Sequence, residues 1–285
     1  MRPRPLHRKF LLPLVAALTL PASAAIAAGK PDATAPAPTV TAAKAAPAQT
    51  PAQAPPRKAT PEERAMAERL DPLARAAFWA REVELDARDV QAGVRLAAAL
   101  RALGRNDEAG AAAERVLIVD PASRDALLEA ARAHLAAGQG FYAIDPLDKL
   151  KAQDPKDWRY VSLLGVAYEQ VSRTNDAETA WRQALQMSPD NPAVLSNLAM
   201  HYAARGQSSE AEQLLRQAAA QPGASVQVRQ NLALILGLEG KLAEAEQLER
   251  QDLPPELADA NMAYLKAASA HTGPLAQATQ TTASR

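Results

Sequence analysis

The chain has 285 residues, with 32 basic and 32 acidic side chains, 48% hydrophobic but only 4% aromatic residues, and 22 unevenly placed prolines. It contains no cysteine, which excludes disulfides, thiolate metal sites, cysteine nucleophiles and lipid attachment through sulfur. The formal charge is zero, and the chain beyond its basic first nine residues carries four more acids than bases. That balance is poor for gripping phosphate backbones, so nucleic acid is not an expected partner.

Residues 1–9 are basic, residues 10–20 are apolar, and Ala22, Ser23 and Ala24 supply a small-residue ending. This order is the pattern of a secretory signal peptide, assigned to residues 1–27, with cleavage expected after Ala24 or Ala27. The apolar core falls short of the roughly 20 residues a spanning helix needs. Export to the periplasm is therefore expected, with membrane attachment only if the segment stays uncleaved as an inner-membrane anchor. Residues 28–60 turn to Ala, Pro, Thr, Gln and Lys, with prolines at 31, 36, 38, 47, 51, 55 and 56. Too few large apolar groups offset the entropy of ordering there, so the segment reads as a disordered linker, spanning roughly 30 Å as a coil.

Helical patterning begins at Pro61, where Thr60 is placed to cap and the proline suits the first turn. Residues 61–89 read as N-terminal capping helices, with Trp79 lying 102 residues, or three periods, before Trp181. Residues 90–254 then hold five units of 34 residues, starting at Val90, Arg124, Trp158, Pro192 and Val226. The eighth place of each unit is Ala97, Ala131, Gly165, Ala199 or Ala233, and the twentieth is Ala109, Ala143, Ala177, Ala211 or Ala245. Small residues at both places let two antiparallel helices approach closely. Gly104, Gly138, Gly206 and Gly240 stand just past the first helix, where a left-handed backbone ends it, with Ser172 as the exception. Pro121, Pro155 and Pro189 stop the second helix. A period of 34 with this small-residue register is a tetratricopeptide signature. The expected fold is all-α, a right-handed superhelical solenoid of antiparallel helix pairs. Residues 255–269 are expected to form a capping helix with Leu257, Met262 and Leu265 on its apolar side, and residues 270–285 a disordered tail.

Enzyme chemistry is not visible, so no cofactor and no small-molecule substrate are expected. His134 and His201 lie in different units without a neighbouring carboxylate motif, and they read as ordinary helix residues rather than metal ligands. Gly138, Gln139 and Gly140 resemble the start of a phosphate loop, but no strand precedes them and a repeat turn accounts for the first glycine. What remains is the groove lined by the first helix of each unit, and hence a protein partner. Asn197 and Asn231, one period apart, each offer a donor and an acceptor to an extended peptide. Arg132 and Arg159 are placed to meet a carboxylate, and Met200 and Leu234 to give apolar contact.

The C-terminal run is more particular. Pro222, Gly223 and Ala224, then residues 228–234, Gly240, residues 243–246, residues 252–255 and finally Ala260, Asn261, Ala263, Tyr264 and Leu265 resemble the tetratricopeptide protein of the tight adherence system. That system assembles Flp pili, a branch of type IV pili related to type II secretion. The resemblance implies a scaffold that helps the secretin channel and other pilus components assemble, with one of them as partner. Members of that family commonly carry a lipobox cysteine, which this chain lacks, so a soluble periplasmic form is expected in place of a lipid anchor. The alternative is a periplasmic adaptor of another pathway, such as cytochrome c maturation, where the repeats would hold an apoprotein segment.

Overall fold

The computed structural model describes residues 57–282, with side chains to Ala270. The expected signal peptide at residues 1–27 and almost all of the linker at 28–60 lie outside the described residues. Thirteen helices and no strands make up the described part. Two come first, α1 (Pro61–Ala67) and α2 (Pro72–Leu85). Five pairs follow: α3 (Val90–Ala102) with α4 (Asn106–Val119), α5 (Arg124–Ala136) with α6 (Gly140–Gln153), α7 (Trp158–Gln170) with α8 (Thr174–Met187), α9 (Pro192–Ala204) with α10 (Ser208–Ala219), and α11 (Val226–Leu238) with α12 (Leu242–Asp252). The last is α13 (Pro255–Thr282).

The two helices of each pair begin differently. Asp89, Ser123, Asp157, Asn191 and Ser225 cap α3, α5, α7, α9 and α11 through side-chain oxygens that accept first-turn amide bonds. The second helices have no side-chain cap, because each starts directly out of the turn that ends its partner. In those turns the amides of Arg105, Gln139, Arg173, Gln207 and Lys241 reach back to the carbonyls of Leu100, His134, Tyr168, Tyr202 and Leu236. This six-to-one bond needs a left-handed residue just before its donor. Gly104, Gly138, Gly206 and Gly240 supply it, and Ser172 adopts the same conformation at φ 62°.

The small eighth and twentieth places lie where the helices touch, and all nine of the alanines there are fully buried. Gly165 is the exception for a steric reason: a Cβ there would come within 2.5 Å of the Trp181 indole nitrogen. Larger side chains fill the layer between units, with Leu127, Leu147, Leu150 and Leu215 at most 1% exposed. Each such burial contributes about 1.5–3 kcal/mol. Every second helix packs on its own first helix and on the first helix of the next unit. The chain is thus an all-α solenoid of antiparallel helix pairs in which each unit covers the next.

At the C-terminal end two expectations need correcting. Ala258, Met262 and Leu265 are the buried face of α13 against α11 and α12, while Leu257 is 53% exposed. A helix period started at Ala258 puts 262 and 265 on its side and turns 257 outward. The helix also continues to Thr282, past the residue 269 at which composition places its end and through the stretch expected to be disordered. That continuation runs through Gly273 and Pro274, which disfavour a helix interior, between alanines at 267, 268, 270, 276 and 278 that favour one. Among the described residues no helix is long and apolar enough to cross a membrane.

Candidate functional site

The inner layer of the solenoid consists of first helices. Among them α3 touches α5, α7 touches α9, and α9 touches α11, whereas no second helix has a comparable contact with another second helix among the described residues. One row of this layer is the ninth place of each unit, made of Ala98, Arg132, Val166, Met200 and Leu234, and all five are half-buried. Such a row is partly packed and partly open along its whole length. Arg132 is its only charged member, and Ala98, Val166, Met200 and Leu234 are apolar.

That charged member is already paired. Glu129, 7% exposed, accepts from Arg101 Nε at 2.9 Å and from Arg132 Nη1 at 3.1 Å. A buried carboxylate needs such partners, so Arg132 is committed to its own fold. Arg159 is likewise occupied, its Nε lying 2.8 Å from Oδ1 of Asp157, the residue that caps α7. The Arg159 guanidinium outweighs burial and holds the Asp157 carboxyl below its usual range. Neither arginine is a free receptor for a partner carboxylate.

The two asparagines also differ. Asn231 Nδ2 donates to Ser196 Oγ at 3.0 Å, and its Oδ1 accepts from Gln227 Nε2 at 3.0 Å. That amide ties α11 to α9. Asn197, half-buried, makes no hydrogen bond with its side chain among the described residues. Met200 follows it one turn later on α9, and both Met200 and Leu234 pack at the edge of the cluster around Leu215, Leu232 and Leu236. Of the six residues that the repeat register selects, Asn197, Met200 and Leu234 therefore form the open part, while Arg132, Arg159 and Asn231 hold the scaffold.

Two features escape sequence reasoning. The pairing of Arg101 with Glu129 joins residues in adjacent units. The other concerns His201, which is buried and meets Glu169 and Glu178 of the preceding unit. In the sequence only the arrangement of opposite charge 28 to 32 residues apart hints at either. Among the described residues no group of three or more His, Cys, Asp or Glu side chains could hold a metal ion.

The family profile described as tetratricopeptide repeat matches residues 170–235, which covers α8, α9, α10 and most of α11. A tetratricopeptide repeat protein from Parabacteroides merdae ATCC 43184 is similar with a TM-score of 0.63 at 13% identity, over 73% of this chain and 85% of that one. A thermophilic tetratricopeptide protein from Thermus thermophilus gives a TM-score of 0.55 at 26% identity, over 62% of this chain and 98% of that one. No curated protein matches the sequence. The 34-residue register, the buried small residues at the helix crossings and these likenesses agree: the fold is a tetratricopeptide-like helical solenoid, and residues 170–235 match the tetratricopeptide repeat family.

Proposed function

We propose that the C-terminal half of the inner face receives a peptide or helix of a partner protein, and that the partner is a secretin or another component of Flp pilus assembly in the periplasm. The observation that carries the binding reading is the unpartnered carboxamide of Asn197 beside half-buried Met200 and Leu234. This amide is only half-buried and so open to a partner, and a peptide backbone offers both the donor and the acceptor with which it can pair. Apolar surface on either side adds contact without fixing direction. The pilus reading rests on the resemblance of the C-terminal run, and the periplasmic one on the N-terminal pattern. In this reading the protein holds partners together and performs no chemistry of its own.

Placing a photo-crosslinking amino acid at position 200 in the periplasm tests both parts. A covalent adduct with a secretin or pilus-assembly protein is expected. An adduct with an unrelated protein ends the pilus reading, and adducts only from an outer-face position such as 118 end the groove reading. The pair Asn197→Ala and Met200→Ala should weaken binding by about tenfold, or about 1.4 kcal/mol, with helicity unchanged.

A further inference from the structure

The joint between the N-terminal cap and the first unit departs from the pattern of the later joints. At the fourth place the second, third and fourth units carry Leu127, Val161 and Leu195, all buried, whereas the first unit carries Gly93. Val116 of α4 takes up part of that room, since a Cβ on Gly93 would come within 2.3 Å of its Cγ2. The rest is a cleft of about 50 Å³ between the C-terminal ends of α2 and α4, with Val83, Val90, Leu96 and Val116 among its apolar lining.

Later joints are closed by glutamines. In the second unit Gln153 Nε2 donates to the Ala122 carbonyl at 3.0 Å, and in the fourth Gln217 Nε2 donates to Asp190 Oδ1. Each bond ties the end of a second helix to the turn that opens its unit. Counted back by whole periods, Gln153 and Ala122 become Val119 and Arg88, and Gln217 and Asp190 become Arg115 and Arg88. Valine cannot make the first bond, and two guanidiniums repel where the second would form. The cleft therefore stays open, with Val119 44% exposed at its edge and the exposed Arg88 and Arg115 on its rim.

Neither guanidinium has a hydrogen bond or an ion pair among the described residues. The acids of the adjoining turn are taken: Asp86 pairs with Lys58, and Asp89 pairs with Arg64 and caps α3. Two like charges are thus set beside an apolar hollow with no carboxylate to answer them.

We propose that this cleft docks a segment of a partner protein in which one aliphatic side chain is flanked by carboxylates. Size sets the first requirement. The hollow exceeds what one water needs and falls well short of the roughly 150 Å³ that holds a benzene ring, so an aliphatic branch fits and an aromatic ring does not. The arginines set the second, because a guanidinium fork binds a carboxylate through charge-assisted bonds. An anion alone would leave the apolar lining facing water, and an apolar ligand alone would leave the two cations together. A leucine or isoleucine between acidic residues meets both demands. No residue of the ninth-place row lines the cleft, so this second surface stands whether or not the inner face receives a pilus component.

Fluorescence anisotropy on the full chain, with a labelled peptide of one leucine between two pairs of glutamates, tests this. Saturable binding is expected, about tenfold weaker when alanine replaces the leucine and lost when lysines replace the glutamates. The double change Arg88→Ser and Arg115→Ser, at exposed positions, should weaken it by about tenfold with melting unchanged. Val119→Gln places at 119 the residue that closes the second unit, where it can donate to the Arg88 carbonyl, and should abolish binding of the leucine peptide. Equal affinity for the leucine and alanine peptides would mean that acidic chains are merely attracted to arginines, and it overturns the proposal. So does the absence of saturable binding up to about 1 mM peptide, or a folded Val119→Gln chain that binds as tightly as the native one.

Discussion

Trp79 and Trp181 occupy the same place three periods apart, yet they are held by different forces. In the central unit the Trp181 indole N–H donates to the Ser162 carbonyl at 3.1 Å, across the flat surface that Gly165 leaves on α7. In the N-terminal cap the partner helix α1 has only 7 residues against the 13 of α7, and it starts at Pro61. The residue three periods before Ser162 is Thr60, the extended N-cap of α1, whose carbonyl accepts from the Arg64 amide at 2.9 Å. Trp79 is 1% exposed, and its indole nitrogen has no partner. Charge takes over instead. The Arg64 guanidinium stands 5.6 Å from the Trp79 ring and reaches both Glu82 and Asp89 at 2.6 Å, while Lys58 pairs with Asp86. The central units are fixed by shape and a directed hydrogen bond, the cap by ion pairs. Cap stability should therefore depend on salt and pH far more than central stability does.

The largest expected effect falls on the cap. Glu82 is 3% exposed and satisfies Arg64 and the Ala59 amide together. Glu82→Gln should cost the cap about 2–3 kcal/mol, because charge-assisted bonds are lost and the half-buried Arg64 keeps Asp89 as its one carboxylate beside the Gln91 carbonyl. Amide exchange in α1 and α2 should accelerate while α7 to α9 stay protected. Equal acceleration in both regions would mean that the cap and centre unfold as one unit.

A smaller effect separates the tryptophans themselves. Replacing either by Phe keeps an aromatic ring, including the one that Arg64 stands over at position 79, and removes the indole N–H. Trp181→Phe gives up the indole hydrogen bond to the Ser162 carbonyl, which keeps its intrahelical partner, whereas Trp79→Phe removes a donor that was already unpaired. Denaturant melts should place Trp181→Phe lower by about 1 kcal/mol. If the two variants lose equal stability, the indole hydrogen bond is not what distinguishes them.

The sequence shows the helix pairs clearly because small residues, turn glycines and prolines recur at a fixed interval, and each has a local cause. Even the caps at 89, 123, 157, 191 and 225 keep the period, and an Asp, Ser or Asn every 34 residues is readable once sought. The candidate site is less legible. Whether Asn231 is open or bound depends on Ser196 in the preceding unit, and Arg132 is taken up by a Glu129 that Arg101 also needs. These partners lie 28 to 35 residues apart or share a third group, so the period names the helices that meet but not which long side chains touch. Side-chain reach and the angle between units decide that, and neither is written in the spacing. The histidines are illegible for the same reason: their carboxylates come from other helices.

Acid should act on the cap before it acts on the central units, and this is the smallest effect expected. Thr60 and Glu63 form a capping box, the Thr60 amide donating to Glu63 at 2.7 Å and Thr60 Oγ1 accepting from the Glu63 amide at 3.3 Å. The Arg57 guanidinium and the Thr60 amide lower the Glu63 carboxyl to about 2. The Lys58 ammonium lowers Asp86, and at Asp89 burial is outweighed by Arg64 and the Ala92 amide. Folded values below the unfolded ones mean that this contribution is complete above about pH 4.5 and is lost as pH falls toward 2. Between pH 8 and pH 5.5 the carboxylates stay ionised, so the cap should be unaffected. Below pH 4 the amides of α1 should lose protection before those of α9. An α1 that frays already between pH 8 and pH 5.5 would show that its ion pairs are not what holds it.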